Sequence, residues 1–260
     1  MSDNTNIMLT GATSFIGESF INKFEDYKFI KYSRNKNGRV NDTYTGDSHE
    51  GLMKIIQDNL IDTCLHIANF KDENQNYETK RESQFLQNIK SYGISKIIYI
   101  SSYWLDIAEL QKSSYVTHKK KIETEVIENF QHTIFRVGDI FGDKDKRDKL
   151  IPYLLLNESK DKLDLKGHLQ NIIKPTHVDD VSSVLNETIK NNIFENKIIN
   201  LYGSQYSLES FINLYKDSRK KNFSVKFLNE NLLNFFYNDT SHETLLINND
   251  LKKQLKNLKQ

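Results

Sequence analysis

Tyr115 and Lys119 stand four residues apart in SSYVTHKKKIETEVIENF, a stretch that reads as a helix. At that spacing they share one helix face. An ammonium near a phenol favours the phenolate and lowers the tyrosine pKa from its reference of about 10. Such a pair can donate and accept a proton near neutral pH, which suits alcohol–ketone chemistry. Thirteen residues upstream of Tyr115, Ser102 ends the apolar run KIIYISS. At the start of the chain lies TGATSFIG, a turn able to cradle phosphate. A Tyr-x-x-x-Lys recurs by chance, so its meaning depends on the elements that carry it.

Those elements alternate short apolar runs with longer helical patterns, the pattern of an α/β fold with a parallel sheet. Asn6–Thr10 reads as the first strand, and the helix after it places Phe15, Ile16, Phe20, Ile21 and Phe24 on one side. Phe29–Ser33 is the second strand, and the polar segment after it holds a weak third. A helix over HEGLMKIIQDNL turns Leu52, Ile55, Ile56 and Leu60 inward, and Asp62–Ala68 is the fourth strand. A helix over 77–92, the strand KIIYIS, the Tyr115 helix and the strand HTIFRV follow. After Gly142 a charged excursion interrupts the order, before the helix of HVDDVSSVLNETIKNN and the strand KIINLY. The last 55 or so residues read as helical and polar, with one apolar patch, LLNFFY. The expected architecture is a doubly wound parallel (Rossmann) sheet with a small C-terminal substrate-binding cap. The dinucleotide-binding part spans 1–142 plus 173–203, and the cap 143–172 plus 204–260.

TGATSFIG follows a strand and opens a helix, the context a dinucleotide turn requires. Gly11 permits a tight turn, Gly17 lets the helix approach the sheet, and the helix N-terminus faces a diphosphate. Ser14 stands where a third glycine is usual, a tolerable weakening because the side chain is small. At the end of the second strand an acidic residue would bind a ribose 2′-hydroxyl. Ser33, Arg34, Asn35 and Lys36 stand there instead. A hydroxyl and two cations suit a 2′-phosphate, so NADP(H) is favoured, with NAD(H) the alternative.

The 260 residues suffice for one large domain with a small cap. The net charge of +1 argues against a global field for nucleic acid or membrane. Cys64 is the only cysteine, which excludes an intramolecular disulfide and a multi-cysteine metal site. No His/Cys/Asp spacing suggests a metal. No run approaches the roughly 20 apolar residues of a membrane helix, and the N-terminal segment lacks the pattern of a secretory signal. A soluble cytoplasmic protein is the expectation.

With these parts in order, residues 6–215 resemble the extended short-chain dehydrogenase/reductase family, which includes nucleotide-sugar epimerases, dehydratases and ketoreductases. The matching segments are TGATSFIG, DTCLHIAN, the ISS ending the fifth strand, Tyr115-x-x-x-Lys119 with Glu123 four residues on, FRVGDIFG, PTHVDDV and NLYGSQYSLESF. Departures are Ser14, Asp106-Ile107 where Tyr-Gly is usual, Val137 for a proline, and Ile173 with Lys174 where a basic residue often binds diphosphate. The resemblance places Gly11, Thr13, Ser14, Phe15, Ile16, Gly17, Ser33, Arg34 and Ala68 around the cofactor, with Tyr115 and Lys119. It makes Ser102, Tyr115 and Lys119 the catalytic trio. Ser102, preferred to Ser101, polarises a ketone oxygen, Tyr115 protonates it, and Lys119 holds the nicotinamide ribose and lowers the tyrosine pKa.

Dehydratases of the family carry an acidic pair directly after the hydroxyl residue, whereas here Tyr103 and Trp104 follow. The expected activity is NADPH-dependent reduction of a nucleotide-linked 4-keto-6-deoxy sugar, KLIPYLL resembling the segment that lines the nucleotide pocket of such reductases. An NAD(P)-dependent epimerase and a non-catalytic NADP-binding regulator are the alternatives. Tyr103 and Trp104 either line the sugar pocket or pack beneath the cap. His66 and His177 read as structural histidines, and Asp180 as an N-cap of a helix over 181–190. Relatives often dimerise through the two long helices, so a homodimer is expected.

Overall fold

The computed structural model describes residues 6–24, 27, 29–33, 43–45, 49–107, 110–228, 242–247 and 250–259. In chain order β1 (Ile7–Thr10) is followed by α1 (Phe15–Lys23), β2 (Phe29–Ser33), β3 (Thr43–Thr45), α2 (His49–Asp58) and β4 (Thr63–His66). Then come α3 (Thr79–Ser91), β5 (Lys96–Ser102), α4 (Ser114–Asn129) and β6 (Gln131–Val137). A second series supplies β7 (Asp139–Phe141), α5 (Leu150–Asn157), β8 (Lys162–Lys166), β9 (Ile172–Ile173) and β10 (Pro175–His177). The remaining elements are α6 (Val178–Asn191), β11 (Lys197–Tyr202), β12 (Tyr206–Ser207), α7 (Leu208–Arg219), β13 (Ser224–Leu228), β14 (Glu243–Leu246) and α8 (Leu251–Asn257). The chain clusters into two units, one of residues 1–102, 112–136 and 182–199, the other of 103–111, 137–181 and 200–260.

The sheet of the first unit runs β3-β2-β1-β4-β5-β6-β11. β1 pairs in parallel with β2 and β4, β2 with β3, and β4 with β5. The chain steps outward from β1 first on one side and then on the other, which makes the sheet doubly wound. Right-handed crossovers then send α1 to one face and α2, α3 and α4 to the other. On the first face, Ser19 and Lys23 of α1 hydrogen-bond Ser182 and Ser183 of α6. On the second, Leu52 and Ile56, Leu86 and Ile89, and Ile122 and Val126 bury one continuous core against Cys64, Ile97 and Tyr99. Strands covered on both faces must be apolar throughout, and Ile7, Met8 and Leu9 are each at most 1% exposed. Ligands of such sheets bind beyond the carboxyl ends of the strands at the reversal, here β1 and β4.

The second unit has its own core, in which Phe141, Leu154, Leu163, Leu208, Phe211 and Tyr215 are buried together. It contains the pairings β7–β10, β9–β12 and β8–β13. Both segments expected to form a cap fall inside it, and it also takes 103–111, 137–142, 173–181 and 200–203, expected with the sheet. A local reason is that Asp139–Phe141 and Pro175–His177 pair with each other in parallel. The C-terminal stretch is less helical than its composition suggests. β13 pairs in parallel with β8, from Ser224 against Lys162 to Leu228 against Lys166. The apolar patch LLNFFY lies outside the described residues. Among the described residues no helix is long and apolar enough to cross a membrane.

Candidate active site

The turn after β1 requires its glycines. Gly11 has φ +74°, and a Cβ there would stand 2.8 Å from the Ala68 nitrogen, so the turn lies directly against the end of β4. A Cβ on Gly17 would stand 2.2 Å from the Gly11 carbonyl oxygen, which lets α1 start this close to the turn only with glycine. Ser14 does more than tolerate its position. It is the N-cap of α1, and its Oγ accepts the Gly17 N–H at 3.1 Å, which a glycine could not do. Thr13 is exposed, Ser14, Phe15 and Ala68 are half-buried, and Ile16 and Gly17 are buried. A close-packed glycine turn feeding a helix N-terminus fits a dinucleotide diphosphate. Ser33 ends β2, but its side chain and the whole of Arg34 lie outside the described residues, as does the expected cofactor choice that rests on them.

On α4, Ser113 is the N-cap and accepts the Val116 N–H at 3.2 Å, placing Tyr115 in the first turn. Tyr115 is half-buried, with its ring 5.6 Å from that of Tyr77. Lys119 is 2% exposed. Its Nζ donates to the Ile100 carbonyl at 2.7 Å and lies 4.5 Å from the centroid of the Tyr99 ring. This bond joins the helix, one turn after Tyr115, to the strand that ends in Ser102. Burial pushes the Lys119 pKa down to about 8, while Glu82 and Glu123 pull it up. Glu123, four residues further along, takes Arg136 of β6 in a bidentate pair, Nε–Oε1 at 3.1 Å and Nη2–Oε2 at 2.7 Å. The helix is thereby fixed against both neighbouring strands.

Behind this helix lies a buried polar cluster that spacing alone did not reveal. Glu82 of α3 is 0% exposed; its Oε1 stands 3.1 Å from His66 Nε2 and its Oε2 accepts the Phe70 N–H at 2.6 Å. His118 Nε2 lies 3.4 Å from Oε2, and His118 Nδ1 is 2.9 Å from Thr79 Oγ1. Thr10 Oγ1 accepts the N–H groups of Ile67 and Ala68 and is 2.7 Å from His66 Nδ1. The hydroxyl proton therefore points at Nδ1, and His66 carries its own proton on Nε2 toward Glu82. Burial pushes the Glu82 carboxyl up, but the His118 and His66 rings beside it more than offset this and hold the carboxyl below its ordinary range. The nitrogens face a carboxylate and hydroxyls; among the described residues no three His, Cys, Asp or Glu converge on a metal position.

No known protein family matches the sequence, and no curated protein does. Solved structures do match its fold. UDP-glucuronic acid 4-epimerase from Bacillus cereus, in complex with NAD and a fluorinated UDP-sugar, superposes with a TM-score of 0.76 at 17% identity, covering 96% of each chain. UDP-glucose 4-epimerase from Thermotoga maritima, with UDP-glucose, gives 0.72 at 17% identity over 96% of each chain. dTDP-glucose 4,6-dehydratase from Bacillus anthracis, with NAD, gives 0.72 at 16%, over 97% of this chain and 94% of the other. The chain therefore has the doubly wound, Rossmann-like α/β fold of these structures.

Within this Rossmann-like fold, the residues that directly follow Ser102 belong to the second unit. Tyr103 is buried, and its hydroxyl donates to Asp139 Oδ2 at 2.7 Å. The Lys174 N–H donates to the same oxygen at 2.8 Å. Burial raises the Asp139 pKa against these two bonds. The Lys174 ammonium lies 3.7 Å from the Tyr202 ring centroid, and burial lowers its pKa. Tyr103 is thus a packing residue of its own unit, beside Ile107 and Tyr202. Asp180 does not cap a helix beginning at 181. α6 starts at Val178, and Asp180 in its first turn accepts Gln254 Nε2 at 2.8 Å.

Proposed function

We propose that this protein is a nicotinamide-dinucleotide-dependent enzyme acting on a nucleotide-linked sugar, and that it reduces a 4-keto-6-deoxy sugar with NADPH. The observation that supports the proposal is the bond from Lys119 to Ile100, which ties α4, one turn after Tyr115, to β5 two residues before Ser102. Both lie in the unit that holds the Gly11 turn. The substrate class rests on the neighbouring folds, whose proteins are named as epimerases and dehydratases of UDP- and dTDP-sugars.

A bound nicotinamide dinucleotide supplies the hydride. In this proposal Gly11, Thr13, Ser14, Phe15, Ile16 and Gly17 hold its diphosphate, and Ala68 borders it. Ser102 hydrogen-bonds the ketone oxygen and Tyr115 gives that oxygen its proton. The ammonium of Lys119 stabilises the phenolate that remains, and donors beyond the one given to Ile100 reach the ribose hydroxyls. NADP(H) is taken over NAD(H) on the strength of Ser33 and Arg34. Arg34→Asp should weaken NADPH binding and spare NADH, and equal loss of both refutes that preference.

The second reading is epimerisation with a tightly held NAD on the same trio, the activity for which two of the neighbouring structures are named. One experiment separates the readings: record the absorbance of the purified protein, then add NADPH and a panel of keto sugar nucleotides. Stoichiometric NADPH loss supports the reductase. Tightly bound NAD without net oxidation supports the epimerase. Binding without turnover on any panel member leaves a non-catalytic regulator. Tyr115→Phe should abolish turnover and leave dinucleotide binding intact. A homodimer through α3 and α4 is part of the proposal; Ile127 on α4, 43% exposed, offers apolar surface for it, and sedimentation equilibrium tests it.

A further inference from the structure

Glu82 has no part in the scheme above, yet it is an acid with no solvent exposure. A buried carboxylate is costly unless it is bonded, and the partners that satisfy this one lead to both halves of the proposed site. Through His66 it reaches Thr10, the residue before Gly11, whose Oγ1 also holds the Ile67 and Ala68 N–H groups against the turn. Through His118 it reaches α4 at the residue preceding Lys119. The Tyr77 ring stacks on His118 at 4.8 Å and meets Tyr115 at 5.6 Å. The ring of Tyr99, which carries Lys119 Nζ at 4.5 Å, stacks on His66 at 5.4 Å.

We propose that Glu82 is a positioning residue for the Tyr115–Lys119 pair, seating the first turns of α4 through His118 and supplying the buried negative charge that keeps Lys119 an ammonium. The proposal rests on the reading of Tyr115 and Lys119 as the proton-transfer pair. The groups acting on Lys119 are Glu82 from α3 and Glu123 from α4, with the phenol of Tyr99 on β5 beneath it. Tyr115 shares its helix, and His66 on β4 and His118 on α4 both contact Glu82. Glu123 is already matched by the Arg136 guanidinium. Glu82, by contrast, faces two imidazole rings, His66 at 3.1 Å and His118 at 3.4 Å.

The test is Glu82→Gln, which keeps the shape and removes the charge. The Lys119 side chain is titrated by NMR in protein carrying 13C-labelled lysine, and kcat and KM are followed against pH. The Lys119 midpoint should fall by about one pH unit, with the alkaline limb of kcat moving by the same amount and KM for the sugar nucleotide within about twofold. A folded variant whose Lys119 midpoint stays at the wild-type value overturns the proposal. If the wild type turns over no sugar nucleotide but the midpoint still moves, Glu82 holds its role and the proposed reaction fails. Should Glu82→Gln not fold, the His118 variants decide. His118→Ala should lower kcat by about tenfold at unchanged KM, and lower the Lys119 midpoint. His118→Gln, whose amide nitrogen stands where Nε2 was, should restore most of both. Two variants indistinguishable in both readouts overturn the proposal.

Discussion

Lys119 Nζ donates a 2.7 Å hydrogen bond to the carbonyl of Ile100, two residues before Ser102, and in doing so leaves water almost completely. Burial lowers its pKa from 10.5 to about 8, against the pull of Glu82 and Glu123. The folded protein therefore loses the ammonium as pH rises through about 8, while the unfolded chain keeps it to 10.5. Turnover should decline along a single-proton limb centred near pH 8. Stability moves the other way. Between about 8 and 10.5 the unfolded state binds the extra proton, so the unfavourable contribution of Lys119 present below this window is relieved as pH rises through it. Lys119→Met should abolish turnover and flatten that rise. Urea midpoints for both proteins at either end of the window check it.

Gly11→Ala should both destabilise the protein and impair dinucleotide binding. A left-handed φ of +74° disfavours any Cβ, and this one would also meet the Ala68 nitrogen at 2.8 Å. The dihedral alone costs about 1–2 kcal/mol, and the contact adds to it by pushing the turn off the end of β4. Gly93 provides the control, with φ +119° and nothing within 4 Å of a Cβ. Gly93→Ala should show a dihedral cost without a loss of affinity. Denaturant midpoints and a fluorescence titration with NADPH measure both, and equal affinities for the two variants would sink the assignment of the turn.

What was legible in the sequence was what is local. A glycine that must be glycine announces itself, and Tyr115 and Lys119 share a turn, so motif and geometry coincide. Glu82 was silent because its meaning depends on His66 and His118, which come from β4 and α4 on either side of it in sequence. β8 and β13 were misread for the same reason. The alternation in KLDLK is that of a half-buried strand, and Leu163 and Leu165 are indeed buried, but the parallel partner SVKFL lies beyond α6, β11 and α7. The charges between those apolar positions make one segment read as part of a charged excursion and the other as part of a polar, helical stretch.

The Ser14 cap makes a sharper prediction than the motif does. Ser14→Ala removes the acceptor of the Gly17 N–H and should cost about 1 kcal/mol, whereas Ser14→Gly, which restores the usual glycine, should cost only a few tenths. Equilibrium denaturation of the three proteins resolves that order. The reverse order would mean that Ser14 is merely tolerated.

Glu123 and Arg136 close the other side of α4. The two side chains are 6% and 11% exposed and meet through both carboxylate oxygens. Glu123→Gln leaves the guanidinium buried without its counter-charge, for which a loss of about 3–5 kcal/mol is expected. Replacing both partners with methionine removes the stranded charge, so the double variant should recover a large part of that loss. Denaturation of the single and double variants gives the coupling directly. Because Arg136 is what neutralises Glu123, the double variant should also leave the Lys119 midpoint closer to wild type than Glu82→Gln does. A midpoint displaced as far in both would mean that Glu123, rather than Glu82, carries the charge that holds the lysine.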